Sequence, residues 1–161
     1  MIWSLRPALP EDAAAMAAVH SAASTNGWSE ADFAAWLARA EAFACVAAGE
    51  AGLSAFGLAL SAGDDAELLM IATFPSVQRR GAARDVLSTL DAEAQRRGLG
   101  RWVLEAARDN LAALALYRSE GFVEIAVRPG YYRPTGPAAS GPVDALVLAR
   151  AVGVSGGHGR T

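Results

Sequence analysis

The 161-residue chain has no lysine, one cysteine, two histidines and no uncharged apolar run near the roughly 18 residues a membrane span needs. Each absence removes a class of function. Cys45 stands alone, so no internal disulfide can form. Within the apolar run Phe43-Ala44-Cys45-Val46-Ala47 it reads as a buried filler in a reducing compartment, ahead of a catalytic thiol. His20 and His158 have no metal-ligand companions, and no metal is expected. The N-terminal stretch Met1-Ile2-Trp3-Ser4-Leu5-Arg6-Pro7 lacks a basic segment followed by a long apolar one. The expectation is a cytoplasmic protein with no membrane partner. All 14 basic residues are arginine, which is read as genomic base composition, not function. A net charge of −3 leaves no global positive field to gather phosphates, which argues against a nucleic-acid partner.

What is present suits one globular domain. A chain of this length buries roughly 70% of the surface it exposes unfolded. Residues 1–150 are expected to form that domain and 151–161 a glycine-rich flexible tail. Residues 2–6 suit a short strand closed by Pro7. Pro10-Glu11-Asp12 suits a helix start, and Ser29-Glu30-Ala31-Asp32 a capping box, with Phe33, Trp36, Leu37 and Ala40 on one stripe. Strands are expected at 43–48, 53–60 and 67–73, separated by Gly49-Glu50-Ala51-Gly52 and Gly63-Asp64-Asp65. Ala83, Val86, Leu87, Leu90 and Ala94 mark a helix ending at Arg96-Arg97-Gly98. A strand at 102–106, a helix at 110–120 and a strand pair at 122–128 and 145–149 follow. A connection rich in proline and glycine, 129–142, joins that last pair. The class is α/β: a mixed sheet of about seven strands with helices on both faces.

The most informative stretch is Gln78-Arg79-Arg80-Gly81-Ala82-Ala83, between an expected strand and an expected helix. Glycine at such a turn lets backbone approach a ligand, and the first-turn N–H groups with the helix dipole make an anion site. Arg79, Arg80 and Arg84 surround it with guanidinium forks suited to phosphate. No Gly-Lys-Ser/Thr ending follows, so this is a diphosphate cradle and not a nucleoside-triphosphate loop. The competing reading is an ordinary solvated basic turn.

The order of elements, with Gln78-x-x-Gly81-x-Ala83 and the later Ala115-Leu116-Tyr117-Arg118-Ser119-Glu120-Gly121-Phe122, resembles the GCN5-related N-acetyltransferase (GNAT) superfamily. Within it the chain is most similar to RimI-type enzymes, which acetylate the N-terminal alanine of a small-subunit ribosomal protein. Trp28-Ser29 before Phe33, Leu104-Glu105, Tyr131-Tyr132 and Asp144-Ala145 carry that likeness. The resemblance implies acetyl-coenzyme A as co-substrate and direct transfer in a ternary complex. Ile71, Ala72 and Thr73 would then bond the pantetheine through backbone groups. The turn from Arg79 to Arg84, including Gly81, Ala82 and Ala83, would hold the diphosphate, and Asn110 would help. The chain departs from the pattern at Ala107, where the family often has arginine, and in its proline-rich loop 133–143.

By resemblance Glu105 is the base and Tyr117 the acid, while Trp28, Tyr131 and Tyr132 line the peptide groove. Each has a plainer reading beside it. Glu105 can be half of an ion pair with an arginine at the sheet edge, Tyr117 a core aromatic, Asn110 a helix cap, and the other aromatics ordinary packing. An α-amine of pKa near 8 costs about 1.4 kcal/mol to neutralise at pH 7, against roughly 4.6 for lysine, so a carboxylate base suits an N-terminal acceptor. The expected partner is a protein N-terminus or, as a rival, a small-molecule amine. The expected assembly is a monomer or weak dimer. A silent acyl-coenzyme A-binding module is the alternative of another class.

Overall fold

A computed structural model of the chain describes residues 3–24, 27–132 and 141–154. Strand β3 (Gly52–Ala62) explains how the layers stack. Ala55, Gly57 and Ala59 face one side of the sheet and Phe56 the other. The small side admits helix α3 (Ala82–Arg96) closely: a Cβ on Gly57 would stand 2.6 Å from Leu90 Cδ1 and 2.7 Å from Val86 Cγ1. On the large side Phe56 meets Phe33 edge to face at 5.3 Å, within a second core that includes Met16, Val19 and Val46. Helices α1 (Ala13–Ala23) and α2 (Glu30–Leu37) supply that second core. Helix α4 (Leu111–Ser119) joins α3 on the opposite face through Leu114 and Tyr117.

The seven strands also comprise β1 (Ser4–Pro7), β2 (Ala42–Gly49), β4 (Asp65–Thr73), β5 (Arg101–Ala107), β6 (Val123–Tyr132) and β7 (Val143–Ala151). Their order is β1-β2-β3-β4-β5-β7-β6. β4 and β5 pair in parallel, joined by α3, and every other pairing is antiparallel. The expected mixed seven-stranded sheet with helices on both faces is thus the observed one.

Most boundaries shift by one or two residues, and three differences have a local reason. Residues 10–12 form a 3-10 turn before α1, because Asp12 turns back to accept from Leu9 N (2.7 Å) and from both terminal nitrogens of Arg6 (2.7 and 2.9 Å). The Arg6 bonds hold the Asp12 carboxyl below the usual carboxylate range. α2 ends at Leu37 instead of Ala40, since Ala42 already enters β2. β6 continues through Pro129 to Tyr132, where the sequence suggested a connection. Proline is tolerated there because β6 is an edge strand and its register with β7 breaks between Arg128 and Tyr132. The remainder of the proline-rich loop, 133–140, lies outside the described residues, as do residues 155–161 of the expected tail, His158 among them. The tail begins later than the expected 151, because Ala151 closes β7 and Gly153 N is held by Asp91.

A buried polar network, not foreseen in the sequence, ties α3 to the sheet. Asp91 Oδ1 accepts from Trp102 Nε1 (2.8 Å) and from an Arg150 terminal nitrogen (2.9 Å), and Gly153 N donates to both carboxylate oxygens at 3.1 Å. Arg150 also donates to the Glu120 carbonyl at 2.8 Å. Asp91 and Arg150 are 8% and 7% exposed, so removing one strands the other's charge in an apolar interior. Asp91→Ala should cost about 3–5 kcal/mol of stability, read as a lowered denaturant midpoint. A midpoint within about 0.5 kcal/mol of the parent would contradict this account of the network.

Candidate active site

The site begins at a defect in the sheet. Met70 pairs with Leu58 and Leu68 with Ala59, so Leu69 is one extra residue in β4. A bulge bends its strand and increases the local twist. β4 and β5 pair in parallel from Asp65↔Arg101 only to Leu68↔Leu104. Beyond the bulge β4 stays with β3, through Ile71↔Gly57, Ala72↔Phe56 and Thr73↔Ala55. β5 instead stays with β7 through Glu105, Ala106 and Ala107. The two strands part, and the β5-facing backbone groups of residues 69–73 have no ladder partner. An extended ligand chain with amide groups would complete both edges.

The C-terminal end of that opening leads to the arginine turn. The Gln78 side chain donates to Thr73 O (3.3 Å), and Gly81, at φ +89°, starts α3 without any side-chain cap. Nothing lies within 4 Å of where a Gly81 Cβ would be, so glycine is required by the backbone angle and not by crowding. Arg79 is itself left-handed, at φ +64°. A non-glycine residue held so is costly and often marks a ligand turn. Arg79 and Arg80 are exposed and, among the described residues, pair with no carboxylate. The N–H groups of Ala82, Ala83 and Arg84 open the helix. Arg84 is placed differently from the other two: its Nε lies 2.7 Å from Glu120 Oε1, an ionic contact off the line of a hydrogen bond, tying α3 to the end of α4.

The two expected catalytic side chains, Glu105 and Tyr117, are carried by β5 and α4. Glu105, on β5, is 27% exposed at the side chain and lies 3.1 Å from Arg128 Nε of β6, so the ion pair left open by the sequence exists. Tyr117 is 8% exposed and packs edge to face on Phe122 at 5.7 Å. Its hydroxyl makes no hydrogen bond to a described residue. Burial pushes its pKa up to about 12, with Tyr132 adding to the rise. The Tyr132 hydroxyl is raised as well, first by burial, then by Glu105 and by Tyr131. Tyr132 therefore lies within electrostatic reach of both Glu105 and Tyr117.

The aromatic pair is presented by the irregular end of β6. Asp144 Oδ1 accepts from Gly130 N at 2.9 Å, inside the stretch where three residues of β6 oppose one of β7. This projects Tyr131 and Tyr132, 5.3 Å apart and nearly perpendicular, with the Arg128 guanidinium 5.4 Å from the Tyr131 ring. Asp144 also pairs with Arg108 at 3.4 Å, so Arg108 does not take the place of the arginine missing at Ala107. Asn110 caps α4, accepting from Ala113 N at 3.3 Å. Trp28 is not brought to this cluster by any recorded contact. It stacks on Trp36 at 5.9 Å and 8° and tilts against Phe33 at 5.5 Å, bordering a cavity of about 400 Å³ with Asp32, Ala35 and Arg39. Cys45 is buried, and its thiol is pushed up by burial, which removes it as a nucleophile. Arg128 and Asp91 are the residues the sequence reading missed. Arg128 sits three places before Tyr131, but no spacing pairs it with a glutamate 23 residues earlier; only the β5-β7-β6 order does.

At pH 7 Tyr117 therefore keeps its proton. An alkaline absorbance titration should contain a phenol step at about pH 12 that is lost in Tyr117→Phe. A variant retaining that step would place the buried phenol elsewhere.

Comparison with known proteins places this geometry in a family. The acetyltransferase (GNAT) family model matches residues 13–122. A [ribosomal protein bS18]-alanine N-acetyltransferase of Salmonella typhimurium is 40% identical over 97 residues, covering 60% of this chain and 63% of that protein. The aligned stretch thus spans less than two thirds of that relative's length. The crystal structure of the ribosomal-protein-S18-alanine N-acetyltransferase from Escherichia coli superposes with TM-score 0.85 at 29% identity, over 98% of both chains. A Salmonella typhimurium protein solved with its cofactor acetyl-CoA has TM-score 0.78 at 21% identity, over 94% of this chain and 95% of that one, a likeness of fold. With more than half its length matched, the chain belongs to the acetyltransferase (GNAT) family.

Proposed function

We propose that the protein is an acetyl-coenzyme A-dependent N-acetyltransferase whose acceptor is a protein N-terminal α-amine, with the alanine terminus of a small-subunit ribosomal protein as the preferred substrate. The observation that carries this reading is the opening beyond Leu69, which has unpaired strand edges on both sides and the Glu105 carboxylate on one of its two strands; the buried phenol of Tyr117 on α4 supports it. The activity named for the Salmonella and Escherichia coli relatives supports the acceptor.

Acetyl-coenzyme A supplies the acetyl group activated as a thioester. Backbone groups of Ile71, Ala72 and Thr73 would hold its amide-bearing arm as a strand would be held. The amides of Gly81, Ala82 and Ala83, with Arg79 and Arg80, would hold its diphosphate. The uncapped start of α3 and the open space beside Gly81 fit such a group. Asn110 positions α4, and with it Tyr117.

Glu105 accepts the proton that the amine gives up as its nitrogen bonds the acetyl carbon, directly or through one water. Tyr117 donates to the sulfur as the carbon–sulfur bond breaks. A phenol near 12 is a weak acid for a thiolate, but the same burial disfavours the thiolate and raises its proton affinity as well, which offsets the rise of the phenol. Trp28, Tyr131 and Tyr132 would bound the peptide, the tyrosines next to the reacting nitrogen and Trp28 farther away, just before α2.

Glu105→Gln and Tyr117→Phe should each lower kcat by about 10²–10⁴ while coenzyme A affinity by calorimetry stays within a few-fold. Unchanged turnover in either variant would remove that residue from the chemistry. Gly81→Val, strained at positive φ, should weaken coenzyme A binding at least about fivefold; equal affinity would move the diphosphate away from this turn. Among acceptors, an Ala-starting peptide should outrun internal lysines and free alkylamines, and a preference for a small amine would overturn the acceptor assignment.

A further inference from the structure

The ion pair on Glu105 has an open side. Arg128 Nε is 3.1 Å from Glu105 Oε1, yet the contact is ionic and Arg128 makes no hydrogen bond to any described residue. Its side chain is 56% exposed, and the Tyr131 ring lies 5.4 Å from its Cζ. A guanidinium carries five N–H donors in a fixed plane. Here that plane is steadied by a carboxylate and an aromatic ring, while its donors stay available beside the group proposed as base. The flanking charges do not compete for it. Arg108 is engaged by Asp144, and Tyr132 of the same strand and Tyr117 of α4 are both neutral phenols near pH 7.

A glutamate and an arginine side by side offer one acceptor and one donor array. An N-terminal residue presents the complement: an amine that donates and, two bonds further along, a carbonyl that accepts. From N–Cα, Cα–C and C=O lengths of about 1.5, 1.5 and 1.2 Å, the amine nitrogen and its own carbonyl oxygen lie about 3 Å apart. That span matches the separation between Glu105 Oε1 and the Arg128 guanidinium. The lysine ε-amine and simple alkylamines have no carbonyl within that distance.

We infer that Arg128 is a specificity-determining residue: its guanidinium receives the first carbonyl oxygen of the acceptor while the α-amine sits on Glu105, so that the pair selects an α-aminoacyl terminus over other amines. This rests on the reading of Glu105 and the acceptor given above. It adds a residue and a chemical feature, the carbonyl, that the family resemblance did not supply. A site that holds a polar group by hydrogen bonding discriminates strongly against an analogue lacking it. Part of the discrimination is lost here to solvent, because the guanidinium is half exposed.

The test is a cycle of two enzymes and two acceptors. The acceptors are an Ala-starting peptide and the same peptide with its first amide replaced by an (E)-alkene, which removes the carbonyl and keeps the shape. Parent enzyme should favour the amide peptide by about tenfold or more in kcat/KM. Arg128→Ala should reduce that preference to within about twofold, mainly through a raised KM for the amide peptide, and Arg128→Lys should restore part of it. Any intrinsic difference in basicity between the two amines cancels across the cycle. Calorimetry of the unreacted peptides, with coenzyme A in place of the acetyl donor, should give the same pattern without turnover. If Arg128→Ala keeps the parent's preference while Glu105→Gln still abolishes transfer, the inference falls and the proposed reaction stands. If the parent acetylates neither peptide, the acceptor assignment falls and the inference with it.

Discussion

The arrangement depends on one extra residue. Leu69 breaks the register of β4 against β3 at the point where parallel pairing to β5 stops. Without it, β4 and β5 would continue as a closed parallel ladder, with their backbone groups satisfied by each other. With it, two strands that are firmly held on their outer sides diverge on their inner sides. Unsatisfied backbone groups are tolerable here because the opening reaches solvent, and they are the kind of edge that an amide-containing chain completes.

Around that opening the fold supplies rigidity from behind. α3 lies tightly on β3 because Gly57 leaves no side chain in the way, and Asp91, Trp102 and Arg150 fasten α3 to β5 and β7. The C-terminal half of α3 and the start of β5 are therefore fixed relative to each other. Arg84 and Glu120 add a second tie, from the first turn of α3 to the end of the helix carrying Tyr117. The side proposed for the acceptor is built differently. It comes from an edge strand whose irregular end is held by Asp144, and it presents Arg128, Tyr131 and Tyr132 toward Glu105.

Much of this was legible in the sequence. The strand and helix order followed from periodicity, and the Gln78–Ala83 stretch announced itself through glycine at a strand-to-helix turn flanked by arginines. Asn110 as a cap and Ser29 with Asp32 as a capping box were local patterns, and both occur. What local patterns could not carry was contact between distant elements. A bulge leaves no residue signature in the apolar run Leu68-Leu69-Met70-Ile71, since any of those side chains could occupy the extra position. The Glu105–Arg128 pair depends on β7 lying between β5 and β6, an exchange of strand order invisible to spacing. Pro129 misled the reading of β6, because proline ends a central strand but only marks the edge of this sheet.

The most direct test of the central claim is amide hydrogen exchange with and without coenzyme A. The account predicts slowed exchange in residues 69–73 and in the first turn of α3, the two stretches whose backbone groups the ligand would complete. Protection confined to other places, such as the cavity beside Trp28 and Trp36, with residues 69–73 exchanging as before, would contradict it.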